Sequence, residues 1–205
     1  TDPDYEIQYV DISSVDAIEG IQRVEPLVFR DAPSRARRRV RGGDIIVSTV
    51  RTYLRAIASV ISPPENLIVS TGFAVLRPLS SLLPSFAAYM AGSRYVIEDV
   101  IARSTGVSYP AINASDLVRI RVAVPPMSEQ SAIATYLDRE TTKIDTLIAK
   151  QEKLIELLQE KRQVVISHAV TKGLDPTVPM KPSGVEWLGD VPEHWNKMAL
   201  RFACE

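Results

Sequence analysis

The apolar positions of this chain change their period along its length. From Ile7 to Ile12 they alternate with polar ones, and Val24 to Phe29 is a second short apolar run, so both read as strands. A turn at Gly42-Gly43-Asp44 leads into Ile45-Ile46-Val47-Ser48-Thr49-Val50, whose β-branched residues predict a buried strand. Arg55 to Ile61 predicts a further strand, closed by Ser62-Pro63-Pro64. Leu67 to Leu76 predicts one strand kinked at Gly72 and ended by Pro78. From Ser85 to Ala102 the period becomes helical, with Phe86, Tyr89, Met90, Val96, Ile97, Val100 and Ile101 on that spacing. A loop from Ser104 to Asn113 separates it from a last predicted strand, Leu117 to Val124, and Pro125-Pro126 forms a hinge.

Beyond the hinge the helical period persists from Ser128 to Gly173 without an interrupting proline or glycine. Ser128 is the expected N-cap, with Glu129 and Gln130 in the first turn, and Gly173 is the expected left-handed stop after Lys172. A helix of this length reaches about 66 Å at about 1.5 Å per residue. Ile133, Leu137, Ile144, Leu147, Ile148, Leu154, Ile155, Leu158 and Val165 recur at three- and four-residue steps. Glu140, Gln151, Lys161 and His168 interrupt that seam, and few same-helix ion pairs support it, so a partner helix is expected. Ile133, Leu137, Ile144, Leu147, Leu154, Leu158 and Val165 are the candidate contacts, with an antiparallel homodimer as the expected assembly. The alternative is a single helix folded onto its own domain. The fold class is α+β: a strand-rich domain over 1–126, a long coiled-coil-forming helix over 127–173, and a linker with an opening segment over 174–205.

Composition narrows the compartment. Hydrophobic residues make up 45% of the 205 positions, enough for a core, and no apolar run is long enough to span a membrane. The single cysteine, Cys204, excludes an internal disulfide framework and a cysteine-rich metal site. The opening Thr1-Asp2-Pro3-Asp4 has no signal-peptide character, and a reducing cytoplasm is the expected location.

Net charge is −1, so only its distribution can point to a partner. Residues 1–127 hold 14 arginines, no lysine and 13 acids. Arg30, Arg35, Arg37, Arg38, Arg39 and Arg41 crowd into twelve positions, a block suited to neutralising several phosphates. The same block could be a solvated surface loop. Arg51, Tyr53 and Arg55 would share one face of an extended segment and could meet base edges or form the polar face of a sheet. Ser104 and Thr105, with Gly106, Val107, Ser108 and Tyr109 after them, offer small hydroxyls for close approach to a phosphate, though an ordinary turn uses the same residues.

Catalytic patterns are poor. Ser62-Pro63-Pro64-Glu65 lacks the amide and the aromatic of an adenine-methyltransferase motif, and no glycine-rich phosphate loop carries a lysine. His168 and His194 fall in the helix and the tail, and Glu98-Asp99 reads as a solvated helix face. No cofactor or metal ligand set is expected. Trp187 and Trp195 read as packing anchors.

Several strings resemble one family. VSTVRTYLRAIA (47–58), VSTGFAVLRP (69–78) and STGVSYPAINASDL (104–117) look like a DNA target-recognition domain. VPPMSEQSAIATYLDRETTKIDTLIAKQEKLIELLQEKRQVVISHAVTKGLDP (124–176) resembles the spacer helix of specificity subunits of type I restriction–modification enzymes. PSGVEWLGDVPEHW (182–195) resembles the opening of a recognition domain in that family. The resemblance implies a non-catalytic subunit that binds one half of a split double-stranded DNA target and docks methyltransferase and restriction subunits. Catalysis, with S-adenosylmethionine, ATP and magnesium, would belong to those partners. The opening motif is absent from the N-terminus and present at 182–195, so the tail is expected to pack on a recognition domain, Trp187 and Trp195 inserting their rings. Two other readings compete: a coiled-coil scaffold that binds protein, and a recognition domain of a fused nuclease or methyltransferase.

Overall fold

A computed structural model describes residues 2–203 apart from Ala17 and Glu19. The chain divides into two compact units, Thr1–Arg139 and Glu140–Glu205. In chain order the first unit holds β1 (Glu6–Val10), β2 (Val15–Asp16), β3 (Gly20–Ile21), β4 (Glu25–Val28), β5 (Ala36–Arg39), β6 (Ile45–Ser48), β7 (Ile57–Ser59), β8 (Leu67–Ser70) and β9 (Phe73–Leu76). Helices α1 (Pro84–Ala91), α2 (Arg94–Ala102) and α3 (Ala114–Leu117) follow. The long helix α4 (Met127–Lys172) starts in the first unit and continues into the second, where β10 (Met180–Pro182) and β11 (Asp190–Pro192) pair antiparallel.

Two larger sheets and the short antiparallel β2-β3 pair form the first unit. One has the order β4-β1-β8-β5, with β1 and β8 parallel and the outer pairs antiparallel. The other, β7-β6-β9, is antiparallel throughout. Strand alternation sorts the apolar residues into layers. Val10, Val69, Ile46 and Phe73 meet in one core to which both sheets contribute. Ile45, Val47 and Ala74 point the other way, onto Ala87 and Ala91 of α1 and Val96 and Val100 of α2. Strand β6 is therefore buried on both faces, which is why its sequence reads as a continuous apolar run.

Three expectations from the pattern are corrected by the fold. Leu67 to Leu76 is two strands in different sheets, because the chain turns at Thr71-Gly72. That corner is tight: a Cβ on Gly72 would stand 2.4 Å from the end of the Ile12 side chain. Ser85 to Ala102 is two helices, since Gly92 ends α1 and Ser93 is extended before α2 restarts. Leu117 to Val124 is not a strand. Asn113 accepts from the Asp116 and Leu117 amides to begin α3, and no strand lies beside 118–126 to pair with, leaving Val118, Val122 and Val124 exposed.

The start of α4 also differs from the sequence reading. Pro126, not Ser128, occupies the cap position, its carbonyl accepting from the Gln130 amide at 2.9 Å. The Gln130 side chain does not serve the helix terminus. It is wholly buried, its oxygen accepting from the Leu83 amide at 2.7 Å and its nitrogen donating to the carbonyls of Ser81 (3.0 Å) and Pro125 (2.8 Å). Ala134 is buried one turn later. Gly173 ends the helix with φ of 78°, as its left-handed role requires.

In the second unit the tail folds onto the end of its own helix. Lys172 donates to the carbonyl of Asp190, and the Trp195 ring packs over Gly173. Ser183, Val191 and Pro192 are buried there, whereas Trp187 is 84% exposed. Within this chain the Trp195 ring packs at the helix end and the Trp187 ring is left in solvent.

Replacing Gln130 with leucine leaves the Leu83 amide and two carbonyls without their partners. The expected loss is at least about 2 kcal/mol of unfolding free energy. A urea midpoint followed by circular dichroism checks it, and an unchanged midpoint would contradict this role for Gln130.

Candidate nucleic-acid interface

The arginine block is a strand edge, not a loop. Arg37, Arg38 and Arg39 lie on β5, the last strand of the four-stranded sheet, with a bulge in its pairing to β8 between Ala36 and Arg38. Ala36 is buried and anchors the strand, while the three arginines are exposed. Charged side chains along a sheet edge also discourage pairing with another chain. Arg37 and Arg39 line a hollow of about 330 Å³ with Tyr5, Phe29 and Ile68, and the Arg37 guanidinium lies 4.9 Å above the Phe29 ring. Arg38 pairs with Val69 and Arg39 with Ile68, neighbours on opposite faces of β8, so Arg38 points away from Arg39.

Carboxylates sort the arginines further. Arg30 pairs with Asp4, Arg35 with Asp11 at 2.8 Å, Arg77 with Asp44 at 2.7 Å, Arg94 with Glu98 and Arg103 with Asp99. Among the described residues no ion pair engages Arg38, Arg39, Arg51 or Arg55. Arg35 is thus the candidate least free to meet a phosphate: hydrogen bonding to Tyr9 and the charge of Asp11 both favour its charged, engaged form. Arg41 sits in the turn after β5, its amide donating to Asp44 at 2.8 Å.

Asp44 holds that turn, a role the pattern Gly42-Gly43-Asp44 only hinted at. Its carboxylate is almost wholly buried and accepts two parallel bonds from Arg77, both 2.7 Å, besides the Arg41 amide. Burial alone would push its pKa up. The Arg77 hydrogen bonds, the Arg41 amide and the two guanidinium charges outweigh burial and hold it below the ordinary carboxylate value.

The segment Arg51–Arg55 is not extended, so the shared face expected of Arg51, Tyr53 and Arg55 does not exist. Arg51 and Arg55 are both left-handed, with φ of 51° and 55°, and bracket a single tight turn over Thr52–Leu54. What the fold brings together instead is Arg51 and the loop 104–111. The Arg51 guanidinium lies 4.8 Å from the centre of the Tyr109 ring. Thr52, buried beneath, reaches the Ser104 hydroxyl at 2.7 Å. Thr105 and Ala111 exchange two backbone bonds of 2.9 Å, and the Ile112 amide donates to the Thr49 carbonyl, fastening the loop to the exit of β6. Tyr109, beside Arg51, is exposed, as are Tyr53 in the turn and Val107 in the loop. The sequence reading missed Thr52, because nothing in the pattern marks a small hydroxyl between two arginines as buried.

The helix seam divides in two. Ile133 and Leu137 are half-buried on the first unit. Ile144, Leu147, Leu154, Leu158 and Val165 are each between 47% and 58% exposed, with Ile148 and Ile155 beside them. No part of the described chain covers this stripe.

Comparison with known proteins names the class that this arrangement belongs to. A family profile described as type I restriction modification DNA specificity domain matches residues 35–157, more than half of the chain, and the chain belongs to that family. The EcoKI type I restriction enzyme specificity subunit of Escherichia coli (strain K12) is 29% identical over 128 residues, 62% of this chain and 26% of that protein. The crystal structure of the HsdS subunit from Thermoanaerobacter tengcongensis matches 88% of this chain and 46% of its own, with a TM-score of 0.65 and 30% identity. A second solved chain, from work on complex assembly and conformational transition of the type I R-M system, matches 89% of this chain and 46% of its own, with a TM-score of 0.67 and 29% identity. The chain therefore spans about half the length of these solved chains and 36% or less of the length of the curated relatives it matches. No helix among the described residues is long and apolar enough to cross a membrane.

The Asp44–Arg77 pair predicts an acid-dependent stability. A carboxylate whose folded pKa is depressed stabilises the fold above its unfolded pKa of about 3.9 and loses that contribution as pH falls through the folded value. Arg77→Met should therefore destabilise by about 1–3 kcal/mol at pH 7. The difference from the unsubstituted chain should shrink once the pH drops below that of free aspartate. Urea midpoints at pH 7, 4 and 3 check this, and a difference independent of pH would contradict it.

Proposed function

We propose that the chain is a DNA-sequence-recognition unit of a type I restriction–modification system. Its strand-rich domain, 1–126, binds one half of a bipartite duplex target. Its helix, 127–173, docks the methyltransferase subunits and through them the restriction subunits, and the segment 174–205 opens a second recognition element. The observation that carries this reading is the family match, which begins at the arginine strand and runs into the long helix. Arginines left without carboxylates beside exposed aromatic rings suit a polyanion that also presents base edges. The unit contributes binding and no catalysis or cofactor of its own, and it works in the cytoplasm beside the DNA.

Phosphate contacts belong to β5 in this reading, and strand alternation sharpens the test. If duplex DNA lies along the face that carries Phe29, replacing Arg37 and Arg39 together by alanine weakens binding to all sequences alike. The slope of log K against log salt then falls by about one unit per lost contact. Arg38→Ala alone leaves the slope unchanged. Titrations of a random-sequence duplex at several salt concentrations check this. A slope unaffected by the double substitution would remove β5 from the interface.

The half-exposed stripe on α4 needs a second helix, because an apolar seam of this length is not left in water. The proposed occupant in the isolated 205-residue chain is a second copy packed antiparallel, which would carry one recognition domain at each end and suit an inverted-repeat target. Light scattering at micromolar concentration is expected to give a dimer. Leu147→Asp with Leu154→Asp is expected to give a monomer of unchanged helicity. A dimer that survives the double substitution would place the interface elsewhere.

A further inference from the structure

We propose that Arg51, laid on the Tyr109 ring and locked in place through Thr52 and Ser104, is the side chain that reads one guanine of the DNA target. The inference rests on the recognition function above and adds to it the residue, the base and the positioning device.

The backbone supplies the first observation. Arg51 is left-handed at φ 51° and ψ 47°, a conformation costly for a residue with a Cβ, and Arg55 repeats it four positions on. Strained positions of this kind persist where the surroundings hold them, and they gather at binding sites. Here the surroundings are explicit. Ser104 donates its single hydroxyl hydrogen to the Val100 carbonyl at 2.7 Å, so in the 2.7 Å contact between the two hydroxyls Thr52 is the donor. Thr52 is 3% exposed, and the bond of its hydroxyl to Ser104 ties the strained turn to the segment that follows α2.

The side chain supplies the second. The guanidinium sits 4.8 Å over the Tyr109 ring, and no hydrogen bond or ion pair among the described residues uses its N–H groups. A guanine presents two acceptors, O6 and N7, at the spacing of those groups. Contact with a phosphate asks only for positive charge, which the exposed arginines of β5 already offer. A guanidinium held from below by a ring, a buried threonine and a fastened loop instead has a fixed direction, and fixing it beforehand lowers the entropy lost on binding. Arg51 is exposed and no carboxylate among the described residues engages it, so nothing has to be displaced. The exposed Tyr109 ring itself provides apolar surface for a neighbouring base.

The test is selection from a duplex library with randomised positions, using the 205-residue chain and its variants. The unsubstituted chain is expected to select a motif containing a required G·C pair. Arg51→Ala should lose discrimination at that pair alone, by about ten- to a hundredfold, and should lower affinity for random-sequence duplex by much less than affinity for the selected motif. Arg51→Gln should shift the preference at that pair towards adenine. Thr52→Val should weaken the same discrimination and Thr52→Ser should restore it, a rescue that loss of packing would not show. Circular dichroism verifies the fold of each variant, and if Thr52→Val fails to fold the two Arg51 variants decide alone. An Arg51→Ala chain that keeps the full motif overturns the inference. So does one that weakens target and random duplex equally, because Arg51 would then be a phosphate contact. If the unsubstituted chain selects no motif, the recognition function itself fails and the inference falls with it.

Discussion

The start of α4 depends on a carboxamide with no exposed surface, that of Gln130. Gln130 satisfies an amide and two carbonyls from the irregular segments 81–83 and 125, groups that lie next to the helix start and would otherwise be buried without partners. A hydrophobic residue in its place could fill the space but not pair those groups. The first turns of α4 are therefore fixed on the domain by polar geometry, with Ala134 packing behind. Past residue 143 the balance reverses. The helix keeps its backbone bonds, but its apolar stripe stays about half exposed among the described residues. The same helix is thus fixed by hydrogen bonds at one end and carries an uncovered stripe over the rest.

Charge in the domain is organised by subtraction. Fourteen arginines and thirteen acids over residues 1–127 nearly cancel, and composition alone gives no sign of a polyanion partner. The structure spends the acids locally on Arg30, Arg35, Arg77, Arg94 and Arg103. Among the described residues no ion pair engages the arginines of β5, those of the Arg51–Arg55 turn, or Arg23, Arg41 and Arg121. Exposed pairs of this sort contribute little to stability, so their effect lies in where they leave the field positive. Asp44–Arg77 is the exception, since its carboxylate is buried and must be paired.

The legible parts of the sequence were those where one period ran long enough to leave a single solution. The α4 helix and strand β6 are of that kind, the first because no proline or glycine breaks its stripe, the second because it is apolar on both faces. Errors came where an apolar run was continuous but the chain changed direction, as at Thr71-Gly72, which needs a close approach to Ile12 that no local pattern encodes. Strand β5 was missed because arginine has little strand preference. Its pairing with β8 is long-range, and only the small buried Ala36 hints at it. The final strand expected at Leu117 to Val124 had the right residues and no neighbour to pair with. Trp187 shows the same limit: its aromatic ring suggested an anchor, and the tail packs through Trp195, Val191 and Pro192 instead.

The candidate site was legible as a list of residues and illegible as an arrangement, for one physical reason. Alternation assigns Arg51, Tyr53 and Arg55 to one face only if the backbone is extended. Two left-handed arginines break that premise, and nothing in their identity announces it, since glycine or asparagine is the usual occupant of such positions. The cost of each is of the order of 1–2 kcal/mol, small beside the surrounding core of Ile46, Val47 and Phe73 but larger than local propensity can supply. A backbone that local preference opposes has to be held by tertiary contacts, and the buried Thr52 is where that hold is visible. Sequence rules are expected to fail where a fold sustains strain. Their failure at Arg51 therefore marks the turn more sharply than any motif in the chain does.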